Sequence, residues 1–233
     1  MILPPRCICC GNVLSEHNGL CAECFNKIKF ISAPLCQSCG RPFDADQNVP
    51  FGTTLYCAAC LKKKKRIFKM QRSAFIYDDD SKKLILDFKF CDKTSSAEVL
   101  SSLLYTAGFD IWNEKPDLLI PVPLHQLRLL KRRYNQSALL VKYLSLKTEI
   151  KADYFSLVRL QNTIPQVELS GAARRRNLRS AFAVKNTDKI QNKRIVLIDD
   201  VTTTGSTLNE CAKVLKAAGA GEIYALTLAR TQD

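Results

Sequence analysis

A chain of 233 residues is long enough for one α/β domain and a smaller module, and too short for two full-sized enzyme domains. Lysine and arginine number 35 against 22 aspartates and glutamates, and the net charge of +13 gathers at 62–66, 128–133 and 174–179. Such a surplus attracts polyanions with sequence-independent, salt-sensitive affinity; no apolar run approaches the roughly 18 to 20 residues that span a bilayer, and residues 1–10 lack the regions of a secretion signal, so a cytoplasmic chain is expected, with peripheral attachment at the inner membrane left open.

Eight of the 11 cysteines form four C-x-x-C pairs at the amino terminus: Cys7 with Cys10, Cys21 with Cys24, Cys36 with Cys39, and Cys57 with Cys60. In a reducing compartment this density points to metal thiolates, and two such pairs supply the four tetrahedral sulfur ligands that zinc prefers. Gly11 and Gly40 follow two of the pairs and permit the tight turn that aims amides at sulfur. Sequential pairing closes the shorter loops and gives two structural Zn2+ sites; an interleaved arrangement is the alternative. Phe25, Ile28, Phe30, Ile31, Leu35, Phe43 and Phe51 make only a thin core, so metal would supply most of the folding free energy of residues 1–60. Cys9 sits between ligands as a spectator, and Cys91 and Cys211 read as small apolar residues.

Residues 61–72 read as a basic linker, and from 73 to 233 the pattern becomes α/β. Residues 74–77 predict a strand, 97–107 a helix, and 118–122 a buried strand stopped by Pro121 and Pro123. The segment Pro121, Val122, Pro123, Leu124, His125 leaves that strand where a ligand loop belongs, and with the cations at 128–133 it suits a diphosphate. Residues 135–146 place Leu139, Leu140, Tyr143 and Leu144 on one helical face. The polar stretch 162–182, holding Gln166, Arg174, Arg175, Arg176 and Asn177, reads as a flap whose cations neutralise charge on closing. Tyr134, Phe68, Phe75 and Tyr77 lie near the basic runs as candidate stacking platforms, with burial in the core as the competing reading.

Ile195 to Ile198 is an aliphatic run typical of a strand buried on both faces. Asp199 and Asp200 follow at its carboxyl end, where open α/β sheets place ligands, and can accept hydrogen bonds from vicinal sugar hydroxyls or hold hydrated magnesium. Thr202, Thr203, Thr204, Gly205, Ser206 and Thr207 then turn into an amphipathic helix at 208–218, so that several amides converge on one phosphate. A last strand is expected at 223–228. Alternation of strands and helices implies a mostly parallel sheet covered on both faces.

The run IDDVTTTGSTL resembles the signature of the type I phosphoribosyltransferases at Asp199, Asp200, Thr204, Gly205 and Thr207. The resemblance implies that the acids hold ribose hydroxyls and that Thr203 to Thr207 wrap the 5-phosphate of phosphoribosyl diphosphate, with Mg2+ on the diphosphate. Purine-type members carry Asp where Thr203 stands, which argues against a purine acceptor. Together with PDLLIPVPLH at 116–125, RRYNQSALL at 132–140, TIPQVELSGAARRRNLRSAF at 163–182 and the cysteine module, the chain resembles the ComF (GntX-like) family of competence and DNA-utilisation proteins; Arg133 and Ser180 stand where that family usually shows glycine. Membership implies a phosphoribosyltransferase-like sheet flanked by helices, a double zinc ribbon, and action on incoming single-stranded DNA beside uptake machinery. Three activities stay open: a DNA-handling protein that binds phosphoribosyl diphosphate, a transferase with an unidentified acceptor that releases diphosphate, and a sensor without turnover.

Overall fold

The computed structural model describes residues 4–15, 17, 19–43, 54–62, 67–90, 96–124, 134–160 and 181–232. Its centre is a parallel sheet ordered β1-β7-β6-β2-β3, with β1 at Met70–Ile76, β2 at Leu118–Pro121, β3 at Lys151–Ala152, β6 at Ile195–Thr202 and β7 at Ile223–Arg230. A separate antiparallel pair joins β4 (Leu157–Arg159) to β5 (Phe182–Val184).

Alternation along the strands assigns each side chain to a layer. On one face Val196, Ile198, Tyr224 and Leu226 pack with Leu84, Ile85 and Phe88 of α3 (Asp79–Phe90), Leu100 and Leu104 of α4 (Ser96–Ala107), and Leu140 and Leu144 of α6 (Gln136–Thr148). On the other, Ile195, Leu197, Ile223 and Ala225 meet Leu208, Cys211 and Leu215 of α8 (Ser206–Ala217) and Ile190 of α7 (Thr187–Ile190). The short α5 (Phe109–Asn113) follows α4 and adds buried Ile111 to the first layer. Each face is thus closed by an apolar helical stripe, which keeps a parallel sheet out of water.

The ladder corrects several expectations. β6 runs on through both acids to Thr202, and β1 begins at Met70, inside the stretch read as linker. β2 ends at Pro121, one residue short of the expected strand; Pro121 still pairs with Ile198, and Val122 donates to the Ile198 carbonyl at 2.9 Å. Alternation then points the missing N–H of Pro121 to the opposite side, where β3 has already ended. On α6 the buried set is Leu140, Val141 and Leu144, with Leu139 and Tyr143 only partly covered. Phe25, expected in the thin core, is half exposed, and Phe75, a candidate platform, is wholly buried. Ala181 and Phe182, expected at the end of the flap, are buried, and Phe182 belongs to β5.

The cysteine module docks on the outer edge of β1. Ile31 donates to the Ala74 carbonyl and Ile76 to the Lys29 carbonyl, both at 2.9 Å, while Gln71 donates to Ser38 at 2.8 Å. Arg72, 3% exposed, clamps the junction from below: its guanidinium donates to the Gln37 carbonyl at 3.0 Å and to Asp110 of α5 at 2.8 and 3.0 Å. Gly40 is required here, because its φ is +66° and a Cβ would stand 2.5 Å from the Gln71 carbonyl oxygen.

Candidate functional site

Both acids sit near the carboxyl end of β6, which still runs beside β7 there while its pairing with β2 has ended at Ile198. Asp199 Oδ1 accepts from Ser137 Oγ at 3.1 Å and from the Asp200 amide at 3.0 Å. Asp200 Oδ1 accepts from the Val201 amide at 2.6 Å, and its Oδ2 pairs with Lys89 Nζ at 3.0 Å. Burial, then the charge of Asp200, push the Asp199 carboxyl up to about 7. Ser137 is positioned by Asn135, whose side chain caps α6 by accepting the Ser137 amide at 3.0 Å and donates to the Val122 carbonyl at 3.2 Å. One asparagine therefore ties the loop after β2 to the serine that orients Asp199.

Gly205, at φ +70°, makes the left-handed turn that starts α8. Thr202 is buried in the ladder, Thr203 and Thr204 are exposed, and Gly205, Ser206 and Thr207 are half-buried. Thr204 Oγ1 and Ser206 Oγ share a hydrogen bond of 2.7 Å. Together with Asp199, Lys89 and Tyr77 these residues line a cleft of about 270 Å3. Unpaired amides at the start of a helix favour an anion there, so the cleft sets the Asp199 carboxylate for hydroxyl groups beside a seat for phosphate.

Lys89 and the helix that carries it are missing from the sequence reading. Gln136, 2% exposed, spends its amide on the Lys89 carbonyl at 3.0 Å, and Tyr134 Oη donates to the Phe88 carbonyl at 2.8 Å. The signal was present: Asp78 and Ser81 exchange hydrogen bonds as a helix-start box, and Leu84, Ile85 and Phe88 repeat at helical spacing. On the far side of the acids, Pro121 and Val122 are buried, while Pro123 and Leu124 border a further cleft of about 400 Å3 with Asn135, Tyr154 and Arg159. His125, the basic run at 128–133 and the flap residues Gln166, Arg174, Arg175, Arg176 and Asn177 lie outside the described residues, as do Phe51 and Cys91.

The cysteines gather in sequence order. Cys7, Cys10, Cys21 and Cys24 form one tetrad and Cys36, Cys39, Cys57 and Cys60 the other, each with its sulfurs within 4.8 Å of one another. The two are built alike. Cys21 caps α1 (Ala22–Lys27) with its sulfur and its amide donates to Cys7 Sγ at 3.3 Å; Cys57 holds the same position before α2 (Ala58–Leu61), without a side-chain cap, and its amide donates to Cys36 Sγ at 3.3 Å. Burial raises the Cys7 thiol, but the amides of Cys10, Cys21 and Cys9 outweigh it and hold it down to about 6; Cys36 is held near the same value by the amides of Cys39, Cys57 and Ser38. Four thiols converging on one point, one in each tetrad favoured as thiolate by amides, fit zinc and its tetrahedral sulfur coordination. Cys9 stands outside both tetrads, and Cys211 is buried in the core.

A parallel sheet with an acid pair and threonine loop at its carboxyl edge, joined to two cysteine tetrads, defines a phosphoribosyltransferase-type domain carrying a double zinc ribbon. Comparison agrees: residues 1–61 match the double zinc ribbon domain and residues 113–233 the phosphoribosyl transferase domain. The chain is 36% identical to competence protein F of Haemophilus influenzae, over 97% of this chain and 96% of that one. It is 32% identical to the DNA utilization protein YhgH of Escherichia coli strain K12, over 99% of each, and 29% identical to competence protein ComFC of Bacillus subtilis, over 94% of this chain and 87% of the other. The chain belongs to the ComF family.

Proposed function

We propose that this protein binds phosphoribosyl diphosphate, with magnesium, at the tip of β6 and also holds single-stranded DNA, serving the uptake or use of imported DNA. In this reading residues 1–60 form the ribbon module and 73–233 the phosphoribosyl-binding domain, with 61–72 a basic linker whose last three residues already open β1. The observation that carries it is the convergence of Asp199, Lys89 and the loop from Thr202 to Thr207 on one cleft.

Asp199 and Asp200 accept hydrogen bonds from the two ribose hydroxyls, and Ser137 and the Val201 amide keep those carboxylates turned inward. The loop amides and the amino terminus of α8 take the 5-phosphate. Magnesium arriving with the diphosphate neutralises its charge, and carboxylate oxygens are the donors it accepts. Lys89 balances Asp200 in the free protein, so the ligand enters a site whose charge is already partly compensated. By their place in the sequence, the loop from Pro121 to His125 and the flap cations Arg174, Arg175 and Arg176 are the groups assigned to the diphosphate, His125 and the flap lying outside the described residues. DNA affinity comes from the +13 surplus, and the names of the competence and DNA-utilisation relatives point the same way. Among the described residues no helix is long and apolar enough to cross a membrane. A role in handling imported DNA would place the protein in the cytoplasm or at the inner face of the membrane.

Calorimetry on zinc-loaded protein tests the reading. Phosphoribosyl diphosphate with magnesium should release heat, and the double variant Asp199→Ala, Asp200→Ala should abolish it while strand affinity, read by fluorescence anisotropy, changes by less than about threefold. An absence of heat from the wild type overturns the ligand assignment. An affinity for DNA that does not fall with salt overturns the electrostatic account of strand binding. Diphosphate released only when a strand or base is added would make the same site a transferase.

A further inference from the structure

The threonine loop has a second side. Thr202, Thr203, Thr204 and Gly205 also border a separate cleft of about 490 Å3, which lies between the loop and the second cysteine tetrad. The ribbon contributes Arg41 and Ala59, the approach to β1 contributes Phe68, and β1, β7 and α8 contribute Gln71, Arg230 and Asn209.

The chemistry of the two clefts differs. The first holds the Asp199 carboxylate, whereas no carboxylate is among the described residues lining the second, which has two guanidinium groups instead. The walls are tied together: Arg230 Nη1 donates to the Cys39 carbonyl at 2.6 Å, and the Gln71 amide to the Ser38 carbonyl at 2.8 Å. This is a cleft built across the junction of ribbon and sheet. Guanidinium groups favour phosphate, carboxamides of Gln and Asn match the donor and acceptor edges of a base, and an aromatic side chain offers a face for its ring. A volume of about 490 Å3 falls in the range of roughly 300 to 1,000 Å3 typical of small-ligand sites and can hold one nucleotide.

We propose that the cleft between the second cysteine tetrad and the threonine loop is a nucleotide-binding site, which seats a phosphate and a base across the loop from the sugar-phosphate cleft. The proposal takes the occupant of the neighbouring cleft from the preceding reading, but its own ligand follows from the cleft's own lining. The nucleotide arrives either free or as the end of a single strand, and the site recognises what the two share.

The test uses the full-length, zinc-loaded protein and two probes: thymidine monophosphate, and a 5′-phosphorylated oligodeoxynucleotide carrying 4-thiothymidine. Ala59→Trp fills the cleft from an exposed position, and Arg41→Gln removes one cation while sparing volume. The expected result is at least about tenfold weaker strand binding for Ala59→Trp and about three- to tenfold for Arg41→Gln, with affinity for phosphoribosyl diphosphate within about twofold of wild type. Photo-crosslinks should fall in peptides 57–71 or 202–209. Displacement of the strand by thymidine monophosphate makes the free nucleotide a ligand; a strand that resists displacement yet is lost in Ala59→Trp makes the strand end the ligand. Wild-type binding of both probes by both variants, or crosslinks confined to other peptides, overturns the proposal. Should phosphoribosyl diphosphate fail to bind while Ala59→Trp still loses the strand, the neighbouring assignment falls and this one stands.

Discussion

The ammonium of Lys89 lies 3.0 Å from a carboxylate oxygen of Asp200, so the end of α3 supplies the counter-charge for the tip of the central strand. Both side chains are mostly covered, at 19% and 13% exposure, and removing one partner leaves the other charged and poorly solvated. Lys89→Met should therefore lower stability by about 1–3 kcal/mol at pH 8 and by less at pH 5, where the acid pair can take up a proton. Urea unfolding at the two pH values checks both the size and the direction.

Asp199 gives a prediction of opposite sign. Its carboxyl is raised to about 7 by burial and by Asp200, whereas an unfolded aspartate titrates near about 4. The folded state thus holds this proton more tightly, and its contribution to stability is fully present below about pH 4 and lost as pH rises through 7. Asp199→Asn cannot lose that proton, so it should be more stable than the wild type by about 1–2 kcal/mol at pH 8, with the advantage shrinking toward pH 4. Denaturation curves across that range measure it. The same variant should lose phosphoribosyl diphosphate binding by calorimetry, the cost of stability traded for function.

Two glycines with similar backbone should respond differently to alanine. Gly11 and Gly40 both adopt positive φ, but a Cβ on Gly11 meets nothing within 4 Å while one on Gly40 meets the Gln71 carbonyl. Gly11→Ala should cost about 1 kcal/mol, the conformational penalty alone. Gly40→Ala should cost about 2–4 kcal/mol and loosen the ribbon from β1, since backbone on backbone cannot give way cheaply. Hydrogen exchange at the amides of Gln71 and Ile76 would report the loosening directly.

Metal content should follow the tetrads. The wild type should carry about two zinc ions per chain by atomic emission, and Cys36→Ser about one. Since the Arg230 guanidinium rests on the Cys39 carbonyl, loss of the second ion should also speed exchange near the carboxyl end of β7, whereas Cys7→Ser should leave that region as it was.

Much of this architecture is legible residue by residue. The aliphatic run before Asp199 is buried on both faces because alternate side chains serve different layers, and the short loops between successive C-x-x-C pairs favour the sequential tetrads that form. Strands of two or three residues, such as β3, β4 and β5, are too brief to show any period. Lys89 belongs to neither case. Its helix leaves a readable pattern, but its place beside Asp200 depends on Gln136 and Tyr134 reaching across from a segment more than 40 residues away in the chain. Pairings of that kind are set by tertiary packing and have no local signature.

Residues 29–31 and Ser38 occupy the main-chain groups of β1 that would otherwise face water, so the ribbon serves as the missing neighbour of an edge strand. Zinc bound at the tetrads would hold those residues in place and so keep the β1 edges of two copies from pairing. Scarcity of the metal would then announce itself as self-association rather than as simple unfolding.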